Sequence, residues 1–172
     1  MADRDSMPAG VDRLLLLREI EAFLIAELAL LDAGDLAGWR ELFTEDGTYW
    51  APARPDQANP LDEISLFYDD RSIMALRAER LAGPREQGRA PTPRTSHMVS
   101  NVELADFAEG GARLEVRARF HMLEYRPEME QRSFGGLYEY SLVREAGGLR
   151  IAAKKATAIN CDGAFYPLTM PF

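Results

Sequence analysis

Apolar and polar positions change their period once along this chain, near residue 94, and the change separates the elements the pattern predicts. From Val11 to Ala33 the sequence is rich in Leu, Ala and Glu, with neither Pro nor Gly, and Gly34 follows as a helix C-cap. Leu14, Leu17, Leu24, Leu28 and Leu31 form one apolar side of this helix, and Leu15, Ile25 and Leu30 extend beyond it. A helix apolar around most of its circumference needs cover on more than one side, here a sheet and a neighbouring subunit. Asp35 is positioned to cap a short second helix running through Phe43, with Trp39, Leu42 and Phe43 inward. Asp46-Gly47 then reads as a turn before a strand at Thr48-Tyr49-Trp50, which Pro52 stops. A loop over Pro52 to Pro60, a short strand from Ile64 to Tyr68 and a third helix capped by Asp69 or Asp70 and reaching Leu81 complete the first half. Gly83 to Pro93 is too polar and too broken by Pro and Gly for regular structure.

Beyond Arg94 the period is two. Met98, Val102 and Leu104 alternate with His97, Asn101 and Glu103, and Leu114, Val116, Ala118, Phe120 and Met122 alternate with Glu115, Arg117, Arg119 and His121. Phe134, Tyr138, Tyr140 and Leu142 share a third face, and Gly147-Gly148 turns into a last strand from Leu149 to Ile159. Long strands with one apolar face, following helices, indicate an α+β domain whose mostly antiparallel sheet covers the N-terminal helices. One domain spans 11–160, between a flexible tail at 1–10 and an apolar tail at 161–172.

Composition narrows the function. The 172 residues suit a single core, and a net charge of −8 argues against nucleic acid. One cysteine excludes an internal disulfide framework and fits a cytoplasmic protein. Met1 to Gly10 lacks a basic n-region, and charges at Arg18, Glu19, Glu21 and Glu27 interrupt the most apolar stretch, so neither a secretory signal nor a membrane span is expected. Two histidines and one cysteine also bound the metal chemistry. A Rieske cluster takes two Cys and two His, which this chain does not hold.

Seven short segments resemble the small (β) subunit of aromatic-ring-hydroxylating dioxygenases. They are Glu27 to Asp32 (ELALLD), Trp39 to Phe43 (WRELF), Asp46 to Pro52 (DGTYWAP), Ser65 to Asp70 (SLFYDD) continuing to Arg77 and Arg80-Leu81, Pro93-Arg94-Thr95, Val99 to Val102 (VSNV) and Gly148 to Ile151 (GLRI). Their order and spacing over roughly residues 14–160 carry the resemblance. It implies a cone-shaped, strongly curved sheet like that of nuclear transport factor 2. It also implies an oxidoreductase of aromatic catabolism assembled as α3β3, with contacts between β subunits. The Rieske [2Fe-2S] cluster and mononuclear Fe(II) are then expected on the α subunit, with no catalytic, cofactor or metal residue in this chain.

Other readings attach to particular residues. Cone folds include dehydratases and isomerases that use an Asp–His pair, and Asp32 with His97 is the candidate here. Strand parity opposes it, since His97 falls on the face of Asn101 and Glu103 unless a bulge reverses the parity. His121 lies among arginines on a polar face, and Cys161 has no nearby partner; neither suggests a site. Asp69 and Asp70 read as a cap plus an ion-pair partner for Arg77 or Arg80. Trp50, Phe120, Tyr138 and Tyr140 read as core, or as the lining of a small-molecule cavity. Arg85, Arg89 and Arg94 make one segment locally basic, suited to a carboxylate-rich partner. Phe165, Tyr166, Pro167, Leu168, Met170 and Phe172 in the tail must pack, either on their own domain or, as the favoured reading, at a subunit interface.

Overall fold

The computed structural model describes residues 11–83, 93–108, 111–127, 129–165 and 167–172. The expected tail at 1–10, Arg85, Arg89 and Tyr166 lie outside the described residues. Three helices, α1 (Val11–Asp32), α2 (Leu36–Arg40) and α3 (Arg71–Ala82), and six strands, β1 (Phe43–Ala51), β2 (Phe67–Asp70), β3 (Arg94–Phe107), β4 (Arg113–Tyr125), β5 (Arg132–Glu145) and β6 (Gly148–Ala158), form the α+β arrangement expected. The strands make one curved sheet in the order β2-β1-β6-β5-β4-β3, antiparallel except where β1 runs parallel to β6.

The helix ends explain where the sheet meets α1. Gly34 adopts φ +71°, its N–H donates to the Leu31 carbonyl at 2.9 Å and the Asp35 N–H to the Leu30 carbonyl at 2.9 Å. This paired closure, which needs a left-handed residue, stops α1 immediately after Asp32. Ile20, Leu24, Leu28 and Leu31 are buried against the sheet, while Leu14, Leu15 and Ile25 stay exposed. At the other end of the N-terminal half, Asp70 caps α3 by accepting from the Ser72 and Ile73 amides. Asp69 pairs with Arg77, whose guanidinium also covers the Phe67 ring at 4.5 Å.

Three local expectations change. α2 ends at Arg40, and Phe43 is instead the first residue of β1. Asp46-Gly47 does not reverse the chain but sits in a bulge of β1, where pairing with β6 shifts register. A Cβ on Gly47 would lie 2.8 Å from the Ile151 carbonyl, so close strand approach, not a turn, requires the glycine. The short strand is Phe67–Asp70, and Ile64 lies outside it, exposed.

Leu114, Val116, Ala118, Phe120 and Met122 of β4 face the core with Phe134, Tyr138, Tyr140 and Leu142 of β5, as their alternation predicts. The end of the tail closes this core from within. Met170, Pro171 and Phe172 are buried, and the Phe172 ring lies 5.2 Å from Phe134, 6.0 Å from Phe120 and 6.2 Å from Phe67. Met170 and Phe172 thus pack on their own domain, the alternative to the interface favoured for them. An aromatic side chain finds most of its burial energy wherever water is excluded, and the sheet's curvature supplies that place intramolecularly.

Candidate functional site

The end of α1 and the start of β3 bring Asp32 and His97 together. Asp32 Oδ1 lies 2.6 Å from His97 Nδ1 and accepts from the Thr95 hydroxyl at 2.9 Å, while Oδ2 accepts from the His97 amide at 2.9 Å. His97 lies on the face opposite to the one its parity indicates because β3 carries an irregularity. Its pairing with β4 shifts between Ser100 and Glu103, and Asn101 takes φ +52°. One extra residue there puts Thr95, His97 and Val99 on the covered face before it and Val102 and Leu104 after it. Met98, expected on the apolar face, is consequently exposed.

The carboxylate accepts only, so the bonded His97 Nδ1 carries the proton, leaving Nε2 as the free ring position. The His97 side chain has no exposed surface, and among the described residues Nε2 has no hydrogen-bond partner. Partial burial works against ionisation of Asp32, but the His97 ring, the His97 amide and Thr95 together hold its pKa below the ordinary carboxylate range. A pocket of about 730 Å³ opens between α1 and β3, bordered by Ile25, Leu28, Ala29, Asp32, His97 and Met98. His121 borders the same pocket but is itself exposed. A general base must reach the proton it takes. With its ring sealed, His97 presents no such approach in this conformation.

A second polar cluster, unforeseen from sequence, lies inside the sheet. Glu27 and Lys154 are both buried, with Lys154 Nζ 2.7 Å from Glu27 Oε1. The same oxygen accepts from Trp39 Nε1 at 2.7 Å, and Glu27 Oε2 accepts from the Tyr140 hydroxyl at 2.9 Å. Lys154 Nζ also lies 4.3 Å from the centre of the Tyr138 ring and 5.4 to 5.9 Å from those of Tyr140, Tyr49 and Trp39. Burial depresses the Lys154 pKa, and the Glu27 charge opposes that depression. Phe120, Tyr138 and Tyr140 are core, whereas Trp50 is half-buried, its Nε1 donating to Ser65 Oγ at 3.0 Å and its ring covered by Lys155. A lysine at period-two spacing in β6 looks solvent-facing in sequence. The hint was Glu27, a charge within the otherwise apolar ELALLD segment.

Among the described residues, no three His, Cys, Asp or Glu side chains gather as a metal would require, and no helix is long and apolar enough to cross a membrane. Cys161 is buried, and burial, with the Asp162 charge, raises its pKa, the opposite of an activated thiol.

A model of the ring hydroxylating beta subunit matches residues 26–162. The chain belongs to this family. The small subunit of 2-halobenzoate 1,2-dioxygenase from Burkholderia cepacia is 31% identical over 147 residues, covering 83% of this chain and 87% of the relative. The β subunit of toluate 1,2-dioxygenase from Pseudomonas putida is 33% identical over 121 residues, covering 67% and 74%. In structure, the β subunit of benzoate 1,2-dioxygenase from Burkholderia mallei superposes with a TM-score of 0.68 at 28% identity, over 90% of this chain and 93% of that one. The protein is therefore a β subunit of an aromatic-ring-hydroxylating dioxygenase, part of an oxidoreductase that also contains an α subunit. In such enzymes the Rieske cluster and catalytic iron belong to the α subunit, in keeping with this chain's two histidines and single cysteine.

Proposed function

We propose that this β subunit is a non-catalytic structural component of a cytoplasmic α3β3 dioxygenase, holding α subunits together through contacts that include those between β subunits. The observation that carries the reading is the filled interior of the sheet. Phe172, the Glu27–Lys154 cluster and the stacked Phe120 and Tyr138 rings occupy the space where a cone-fold enzyme would admit substrate. The Asp32–His97 pair is then a clamp joining the end of α1 to β3. The assembly's substrate class is a ring carboxylic acid, as the names of the halobenzoate, toluate and benzoate dioxygenase relatives support.

Co-expression with the cognate α subunit tests this. The expected result is a stable complex whose mass corresponds to three copies of each chain and which dihydroxylates a benzoate when supplied with electrons. A chain that does not associate with the α subunit overturns the proposal. The competing reading, a stand-alone dehydratase or isomerase using Asp32 and His97, draws on the 2.6 Å contact between them. It requires that the isolated chain turn over a cyclic substrate and that His97→Ala abolish the turnover.

A further inference from the structure

The outer face of β3, β4 and β5, away from the core, divides at the Asn101 bulge into two unlike halves. On one side charges satisfy one another, since Arg117 and Lys155 both lie within 4 Å of the Glu139 carboxylate, at 3.9 and 3.8 Å. On the other side they do not. Ser100, Arg119 and Leu137 form one cross-strand row, Met98, His121 and Gly135 the next, and Arg94 and Tyr125 lie at the far end. Neither Arg119 nor Arg94 has a carboxylate within ion-pair distance among the described residues, and Arg94 stacks on the Tyr125 ring at 5.0 Å. Uncompensated arginines on a chain of net charge −8 are unusual, because acidic neighbours are plentiful.

Apolar side chains accompany them. Ile159 is 82% exposed and Met98 58%, with Leu123 and Tyr125 partly exposed nearby. Ile159 borders a depression of about 560 Å³ together with Arg119, His121 and Gly135. Its floor is low because Gly135 has no side chain there: a Cβ at that position would stand 3.6 Å from the His121 ring. Arginine and aromatic groups beside an apolar recess are the composition of an energetic centre in a protein interface. Exposed apolar area of this kind marks contact surfaces.

We propose that this face is the docking surface for the dioxygenase α subunit, which presents a carboxylate side chain to Arg119 and Arg94 and an apolar side chain to the recess over Gly135. The assignment rests on the preceding reading for the existence of an α partner, and on charge complementarity for its chemistry. Arg94 is one of the three arginines read in sequence as suited to a carboxylate-rich partner.

Labelling of Ile159→Cys in the full chain provides the test, because the native Cys161 is buried and stays unlabelled. Maleimide labelling at position 159 is expected to slow at least tenfold when the purified α subunit is added. Arg119→Glu is expected to weaken α binding at least tenfold and Arg119→Lys to retain most of it, while Arg18→Glu, on another face, leaves it unchanged. A complex that forms with labelling at 159 unaltered overturns this inference and leaves the structural-subunit reading intact. So does labelling already suppressed in the isolated chain and insensitive to the α subunit, since the face then belongs to contacts between copies. A wild-type chain that never associates with the α subunit overturns both.

Discussion

Lys154→Met removes the cation from the buried cluster without changing its volume much, and the geometry fixes what remains. Glu27 keeps its carboxylate in a place with no solvent exposure, held among the described residues by Trp39 Nε1 at 2.7 Å and the Tyr140 hydroxyl at 2.9 Å. Leaving such a charge without its counter-ion costs about 3–5 kcal/mol. For a domain of this size that lowers the melting temperature by roughly 6–20 °C, taking about 2–4 °C per kcal/mol. Glu27→Gln is expected to cost less, because the stranded ammonium retains an amide oxygen and the faces of four aromatic rings, a cation–π environment worth about 2 kcal/mol when desolvated. The double variant carries no net charge and still offers Trp39 or Tyr140 an acceptor, so its cost falls to about 1–2 kcal/mol, the scale of one imperfect buried hydrogen bond. Urea titrations at fixed protein concentration measure all three and yield the coupling energy, expected to exceed about 2 kcal/mol. A Lys154→Met cost under about 1 kcal/mol, or additivity of the two substitutions, would refute a coupled buried ion pair.

Tyr138→Phe is expected to stabilise the chain by about 1 kcal/mol in thermal or urea melts, because its buried hydroxyl has no partner among the described residues and carries a desolvation cost. The Tyr49, Tyr138 and Tyr140 pKa values are raised, by burial first and then, for Tyr138 and Tyr140, by the Glu27 charge. Their contribution is complete below the unfolded tyrosine pKa near 10 and is lost as pH rises above it, so urea midpoints should fall on the alkaline side, and less steeply in Tyr138→Phe. Asp32 has the opposite sign. Its lowered pKa gives stability that is present above the unfolded value of 3.8 and lost as pH falls through the folded one. Stability curves of wild type and Asp32→Asn should therefore converge on acidification, and parallel curves would count against the clamp. Phe172→Ala should cost about 3–5 kcal/mol, the range for a core Phe truncation, and a cost near zero would mean that the tail does not fill the core.

Most of the sheet was legible because β4 alternates without interruption and β5 does so as far as Tyr140, so burial of Leu114, Val116, Ala118, Phe120 and Met122 and of Phe134, Tyr138 and Tyr140 follows from period alone. Helix ends were legible where a single residue type decides them, as at Gly34 and Asp70. Asp46-Gly47 misled because a glycine needed for close strand approach looks, in sequence, like one needed for reversal. The tail's destination was not legible either, since apolarity says that Met170 and Phe172 must pack but not against what.

His97 shows where local pattern and site geometry part company. Period two assigns a face only while the register holds, and one left-handed Asn101 inverts the assignment for every residue of β3 that precedes it. The inversion does two things at once. It turns Thr95 and His97 toward Asp32, closing the end of α1 onto the sheet, and it turns Met98 and Ser100 outward beside His121 and Arg119. A backbone distortion costing about 1–3 kcal/mol persists only where its surroundings fix it. Here the Asp32 hydrogen bonds fix it from inside. The clamp and the proposed docking face are thus two sides of one bulge, and a substitution that releases the clamp, such as Asp32→Ala, is expected to weaken α binding without touching the outer surface.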